Sequence, residues 1–165
     1  MARRRASAPS PEDAEAARER SLRLLAVRSR SAAELRDRLR RAGFLPDVVE
    51  GVIADLARVG LVDDLEFARS WVASRQAAGG VGKQNLRWGL RRKGVANELI
   101  ERVLSEAVDD ETEAQQALAL ARRRLREGAD DPKALARVRR LLVGRGFGFD
   151  IVEGVMRRIS PQAEQ

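Results

Sequence analysis

"ELRDRLRRAGFLPDVVEGVI", residues 34–53, decides the fold because it returns twice. Without gaps it aligns with "NLRWGLRRKGVANELIERVL" (85–104) and "RVRRLLVGRGFGFDIVEGVM" (137–156), at offsets of 51 and 52 residues. Leu39, Leu90 and Leu142 coincide, as do Gly43, Gly94 and Gly146, and Glu50, Glu101 and Glu153. Apolar residues spaced i and i+4 give each copy one buried helical stripe. The shared glycine stands where a helix ends in a left-handed residue. The apolar pairs Val48/Val49, Leu99/Ile100 and Ile151/Val152 begin the face of a second helix. Pro46 suits the first turn of that helix, and Ser31 with Glu34 reads as a capping box.

A longer helix precedes each pair. Its starts are marked by Ser10 to Asp13, Asp63 to Glu66 and Asp110 to Glu113; Asp63 and Asp64 read as helix caps. Its ends echo one another at Leu24/Arg28, Trp71/Arg75 and Leu120/Arg124. The chain therefore reads as all-α: three tandem three-helix repeats at 11–62, 63–109 and 110–160, forming an elongated, curved array. Residues 1–10 read as a disordered basic tail. Each short repeat buries little alone, and stacking on its neighbours supplies the rest of the core.

Composition agrees. Ala, Leu, Arg and Glu are strong helix formers. No apolar run approaches the ~18 residues of a membrane span. The chain has no His, Cys or Tyr, which removes the usual general base and the commonest metal ligands. No catalytic residue, cofactor or metal is expected, and the absence of cysteine fits a reducing cytoplasm. Gly82-Lys83 resembles only the middle of a phosphate-binding P-loop. Gln84 stands where that motif needs Ser or Thr, and the preceding segment reads as helix rather than strand.

Net charge is +7, and its distribution is the informative part. From Phe67 to Asn97 there are seven bases (Arg69, Arg75, Lys83, Arg87, Arg91, Arg92 and Lys93) and no acid. Such a field suits a polyanion or an acidic protein surface. On a wheel of about 100° per residue, Leu86, Leu90 and Lys93 share one side. Lys83, Arg87 and Arg91 line a flank, while Trp88 and Arg92 point away. Two readings of Trp88 stand at this stage: a ring for a nucleic-acid base or a partner protein, or a ring covered by a neighbouring repeat. The last-turn cations also complement the helix dipole. Arg75 is read as laying its stem over the core, Phe67 and Trp71 as core, and Gly79–Gly82 as a flexible connection.

Two stretches together resemble the RecX family of recombination regulators. One is Asp63-Asp64-x-x-Phe67-Ala68-x-x-Trp71-Val72-x-x-Arg75; the other is Leu86-x-x-x-Leu90-x-x-Lys93-Gly94-Val95. The likeness extends over about residues 15–160. It departs at Gly89, where the family usually carries an acid; an interior glycine costs about 1 kcal/mol relative to alanine. The resemblance implies a non-enzymatic, cytoplasmic protein that binds the RecA filament and modulates, mainly inhibits, its growth, ATPase and strand exchange. The expected DNA- and RecA-binding residues are Arg69, Arg75, Lys83, Arg87, Trp88, Arg91, Arg92 and Lys93. Binding to single-stranded DNA is expected to be weak and salt-sensitive, and the protein a monomer. The rival reading from composition alone is a free-standing helix-turn-helix-like DNA-binding protein.

Overall fold

A computed structural model describes residues 10–125 and 131–160. The tail read at 1–10 lies, but for Ser10, outside the described residues. Nine α-helices and no strand occur among the described residues. They are α1 (Ala14–Val27), α2 (Ala32–Arg41), α3 (Pro46–Arg58), α4 (Asp64–Ala77), α5 (Lys83–Arg92), α6 (Asn97–Ala107), α7 (Asp110–Arg124), α8 (Pro132–Gly144) and α9 (Phe149–Ile159). The order long, short, short repeats three times, as the alignment requires.

Local chemistry sets the boundaries. Asp13 accepts from the Ala16 amide at 2.9 Å, Asp63 from Leu65 and Glu66, and Asp109 from Thr112 at 2.7 Å. These side chains satisfy amides that a helix start leaves unpaired. Pro46 and Pro132 occupy first turns, where a missing N–H costs nothing. The shared glycines take φ of +93° (Gly43), +73° (Gly94) and +81° (Gly146). After α2 the Gly43 amide donates to Arg40 and the Phe44 amide to Leu39; after α8, Gly146 donates to Val143 and Phe147 to Leu142. This is the Schellman stop. The residue after each glycine, Phe44, Val95 or Phe147, is buried and pins the turn to the core.

The chain packs as two compact units. The first comprises the described part of Met1–Phe67 with Lys93–Val95. Its core gathers Leu35, Leu39, Phe44, Val49, Ile53 and Leu56 between α1, α2 and α3. The second comprises Ala68–Arg92 and the described part of Ala96–Gln165. There α5 packs on α6 through Leu86, Leu90, Ile100 and Val103, and α7, α8 and α9 enclose Leu118, Val138, Leu142, Phe147, Val152 and Val155.

Each unit holds one version of the same joint between repeats. In the first, the Asp64 carboxylate accepts from the Ala32 amide at 2.8 Å, and the Ser31 hydroxyl donates to the Lys93 carbonyl. In the second, buried Glu113 accepts from the Lys83 amide at 2.8 Å, and the Gly82 amide donates to the Arg145 carbonyl at 2.9 Å. The start of one repeat's middle helix is thus held by an acid from the next repeat's long helix and by the next repeat's glycine turn. A Cβ on Gly94 would strike Ala33, and one on Gly146 would strike Asn85.

Three readings change here. Asp63 caps its own helix, but Asp64 caps α2. Ser31 does accept from the Glu34 amide at 3.1 Å, yet the Glu34 carboxylate is engaged by Arg28 and Lys93, so the reciprocal half of the capping box is replaced by ion pairs. The Gly79–Gly82 connection is also not loose at its far end. Gly82 is seated on the backbone of Gly146, and the Gln84 amide donates to the Gly146 carbonyl at 3.1 Å.

Candidate docking surface on the fifth helix

The acid-free stretch of sequence is not acid-free in space. Arg87 donates through Nε and Nη2 to Glu101 at 2.6 and 2.8 Å. Lys83 meets Asp110 at 2.6 Å, and Arg69 donates two bonds to Glu106. Lys93 belongs to the first unit, where its ammonium lies 2.6 Å from Glu34. The expected continuous cationic row Lys83–Arg87–Arg91 is therefore corrected: carboxylates neutralise its first two members. Folding brings these acids from sequence distances of 14 to 59 residues.

Arg87 shows why. Arg36, Arg87 and Arg139 occupy one repeat position, and Glu50, Glu101 and Glu153 another. All three repeats join them, at 2.8, 2.6 and 2.7 Å. The pair ties the middle helix of each repeat to its third helix. Hydrogen bonds from Arg87 hold the Glu101 carboxyl below the usual carboxylate range, against a smaller opposing effect of burial. The signal lay in the alignment, where both positions coincide at a spacing of 14 in every copy. Reading Arg87 as a docking residue passed over it.

What remains outward on α5 is compact. Trp88 is 58% exposed, so the reading in which a neighbouring repeat covers its ring is set aside. The Arg92 guanidinium lies over that ring, 4.6 Å from its centre. Exposed Arg91 donates from Nε to the Asn97 side chain at 3.0 Å. An exposed indole with a cation stacked on one face and a second base one residue before that cation presents π-surface and positive charge together.

The other expected residues have structural work. Arg75 stacks over Trp71 at 5.1 Å. Phe67 is buried, as expected, but Trp71 is only half-buried, a correction to its core assignment. Its ring lies against Gly89, where an added Cβ would collide with Cη2 and Cζ2. The glycine in the middle of α5 is the seat of a tryptophan.

The three repeats match three family models in order: the RecX first three-helix domain over residues 17–56, the second over 63–104 and the third over 111–156. The chain belongs to the RecX family. Regulatory protein RecX of Mycobacterium avium (strain 104) is 37% identical over 169 residues, covering 97% of each chain. That of Amycolatopsis mediterranei (strain U-32) is 41% identical over 144 residues, 86% of this chain and 82% of the relative. The fold matches the crystal structure of RecX from Lactobacillus salivarius with a TM-score of 0.81 at 21% identity, covering 89% of this chain and 96% of that one. The outward Trp88–Arg92 pair thus lies in the second RecX domain. Among the described residues no cluster of acids, His or Cys could hold a metal, and no helix is long and apolar enough to cross a membrane.

Proposed function

We propose that this chain is a non-enzymatic, cytoplasmic regulator that binds the RecA nucleoprotein filament and restrains its ATP hydrolysis, extension and strand exchange. The observation that supports it is the uninterrupted run of three RecX domains, shared over nearly full length with proteins named as regulators. Trp88, Arg91 and Arg92 are the contact residues on α5. Lys83 and Arg87 act behind them, fixing the helix through pairs to Asp110 and Glu101, while Arg69, Arg75 and Lys93 are engaged by Glu106, Trp71 and Glu34. The repeats, with boundaries at 11–62, 63–109 and 110–160, engage several filament subunits at once. Linking weak contacts in this way multiplies affinity without a strong individual site.

Co-sedimentation with RecA filaments on single-stranded DNA tests the reading. The chain pellets with the filaments and far less with the strand alone; Trp88→Ala/Arg92→Gln weakens the first without altering the helical circular dichroism. Equal pelleting with bare DNA and filaments favours the free-standing DNA-binding alternative.

A further inference from the structure

The position occupied by Arg28, Arg75 and Arg124 recurs in all three repeats, and two of its three members are satisfied. Arg28 pairs with Glu34 at 3.1 Å, and Arg75 stacks on Trp71. Among the described residues Arg124 has neither kind of partner. Leu120 stands where α4 has Trp71, and Arg137 stands where the first repeat has Glu34. Leu120 instead packs under the glycine loop, its methyl 3.3 Å from where a Gly80 Cβ would be.

This leaves a hollow of about 560 Å³ in the second unit, bounded by Gly79, Gly80, Leu120, Arg123, Arg124 and Arg145. Its size falls in the usual range for ligand sites. All three arginines are exposed. Arg145 is steadied by a bond from Nη1 to the Gly80 carbonyl at 3.3 Å. Among the described residues neither a carboxylate nor an aromatic ring lines the hollow. Helix ends account for bases at these places, since Arg123 and Arg124 close α7 and Arg145 caps α8. They do not account for three arginines lining one hollow with no acid among its described lining, when Arg69, Lys83, Arg87 and Lys93 each find a carboxylate.

We propose that this hollow grips the backbone phosphates of a nucleic-acid strand. Guanidinium forks match phosphate oxygens. The lack of a ring suits backbone tracking rather than base stacking, and the lack of a deep apolar anchor argues against a peptide. The inference deepens the proposed function, since the filament is built on such a strand, but its test needs no RecA.

A labelled oligo-dT strand is titrated with the full chain at several salt concentrations. In Arg123→Gln/Arg124→Gln the slope of log affinity against log salt falls by about 1.4, for two contacts at about 0.7 each on single strands. Arg157→Gln/Arg158→Gln, exposed on α9 and equal in charge lost, changes the slope by less than half as much. Equal effects of the two variants, or no strand binding by the unaltered chain, overturn the site; the co-sedimentation result with RecA stands or falls separately. Inorganic tripolyphosphate and poly-glutamate serve as competitors. Displacement of the strand only when either far exceeds the strand's phosphate concentration upholds the proposal. Displacement by either at or below that concentration overturns it, in favour of a free-anion or an acidic-protein site.

Discussion

Trp88 and Gly89 are neighbours with opposite duties. The indole of Trp88 faces solvent, so Trp88→Ala leaves stability within about 0.5 kcal/mol, as exposed substitutions do, while weakening restraint of RecA. Phe67→Ala, which truncates a buried ring, costs about 3–5 kcal/mol. Thermal unfolding of the two variants side by side checks the contrast; equal losses would put Trp88 in the core. Gly89→Ala gains about 1 kcal/mol of helix propensity but drives a methyl into the Trp71 ring, an overpacking cost of about 1–3 kcal/mol. The single variant is expected to melt lower. In a Trp71→Leu background the same change is expected to raise the melting temperature, a sign reversal that a double-mutant cycle reads directly.

At the scale of helices, the repeated Arg–Glu stitch and the joint at each helix start hold the elements. Arg87→Glu sets a carboxylate against Glu101 and removes an exposed pair worth up to about 1 kcal/mol. Its melting temperature drops by about 2–4 °C or more, whereas Arg92→Glu leaves it unchanged; circular dichroism melts decide, and the reverse order would make Arg87 a free docking residue after all. Glu34 gives the pH dependence. Burial disfavours its charge, but hydrogen bonds from Arg28 and Lys93 outweigh that and hold the carboxyl down at about 2. A depressed carboxylate stabilises fully above its unfolded value of about 4.3 and loses that contribution as pH falls through about 2. The stability gap between the natural chain and Glu34→Gln is therefore constant above about pH 5 and closes between pH 4 and 2. A gap unchanged across that window would mean the triad does not stabilise the fold.

These elements also show what was legible in advance. Apolar stripes, the left-handed glycine and the capping acids act within a few residues of one another, so the sequence displays three helices per repeat. Asp64 reaching Ala32, Glu113 reaching Lys83 and Glu34 reaching Lys93 act over 30 to 59 residues. No charge count along the chain reveals them. Lys83 and Arg87 of the basic stretch are paired with acids in space, and Gly89, which looked like a missing acid, is explained by a ring 18 positions earlier.

For the whole molecule, the proposed function rests on repetition. Three domains of one kind, each with an Arg–Glu stitch and different outward residues, can meet successive subunits of a polymer with different chemistry at each step. The second domain offers an aromatic ring with a stacked cation and the third a set of arginines lining one hollow, so loss of either is expected to weaken regulation rather than abolish the fold. The most direct measurement is ATP hydrolysis by RecA on single-stranded DNA, titrated with the chain at two salt concentrations. Hydrolysis is expected to fall as the chain is added below one molecule per RecA subunit, less steeply at the higher salt, and Trp88→Ala/Arg92→Gln to blunt the fall at both. An undiminished rate with the folded chain in excess over RecA would contradict the account.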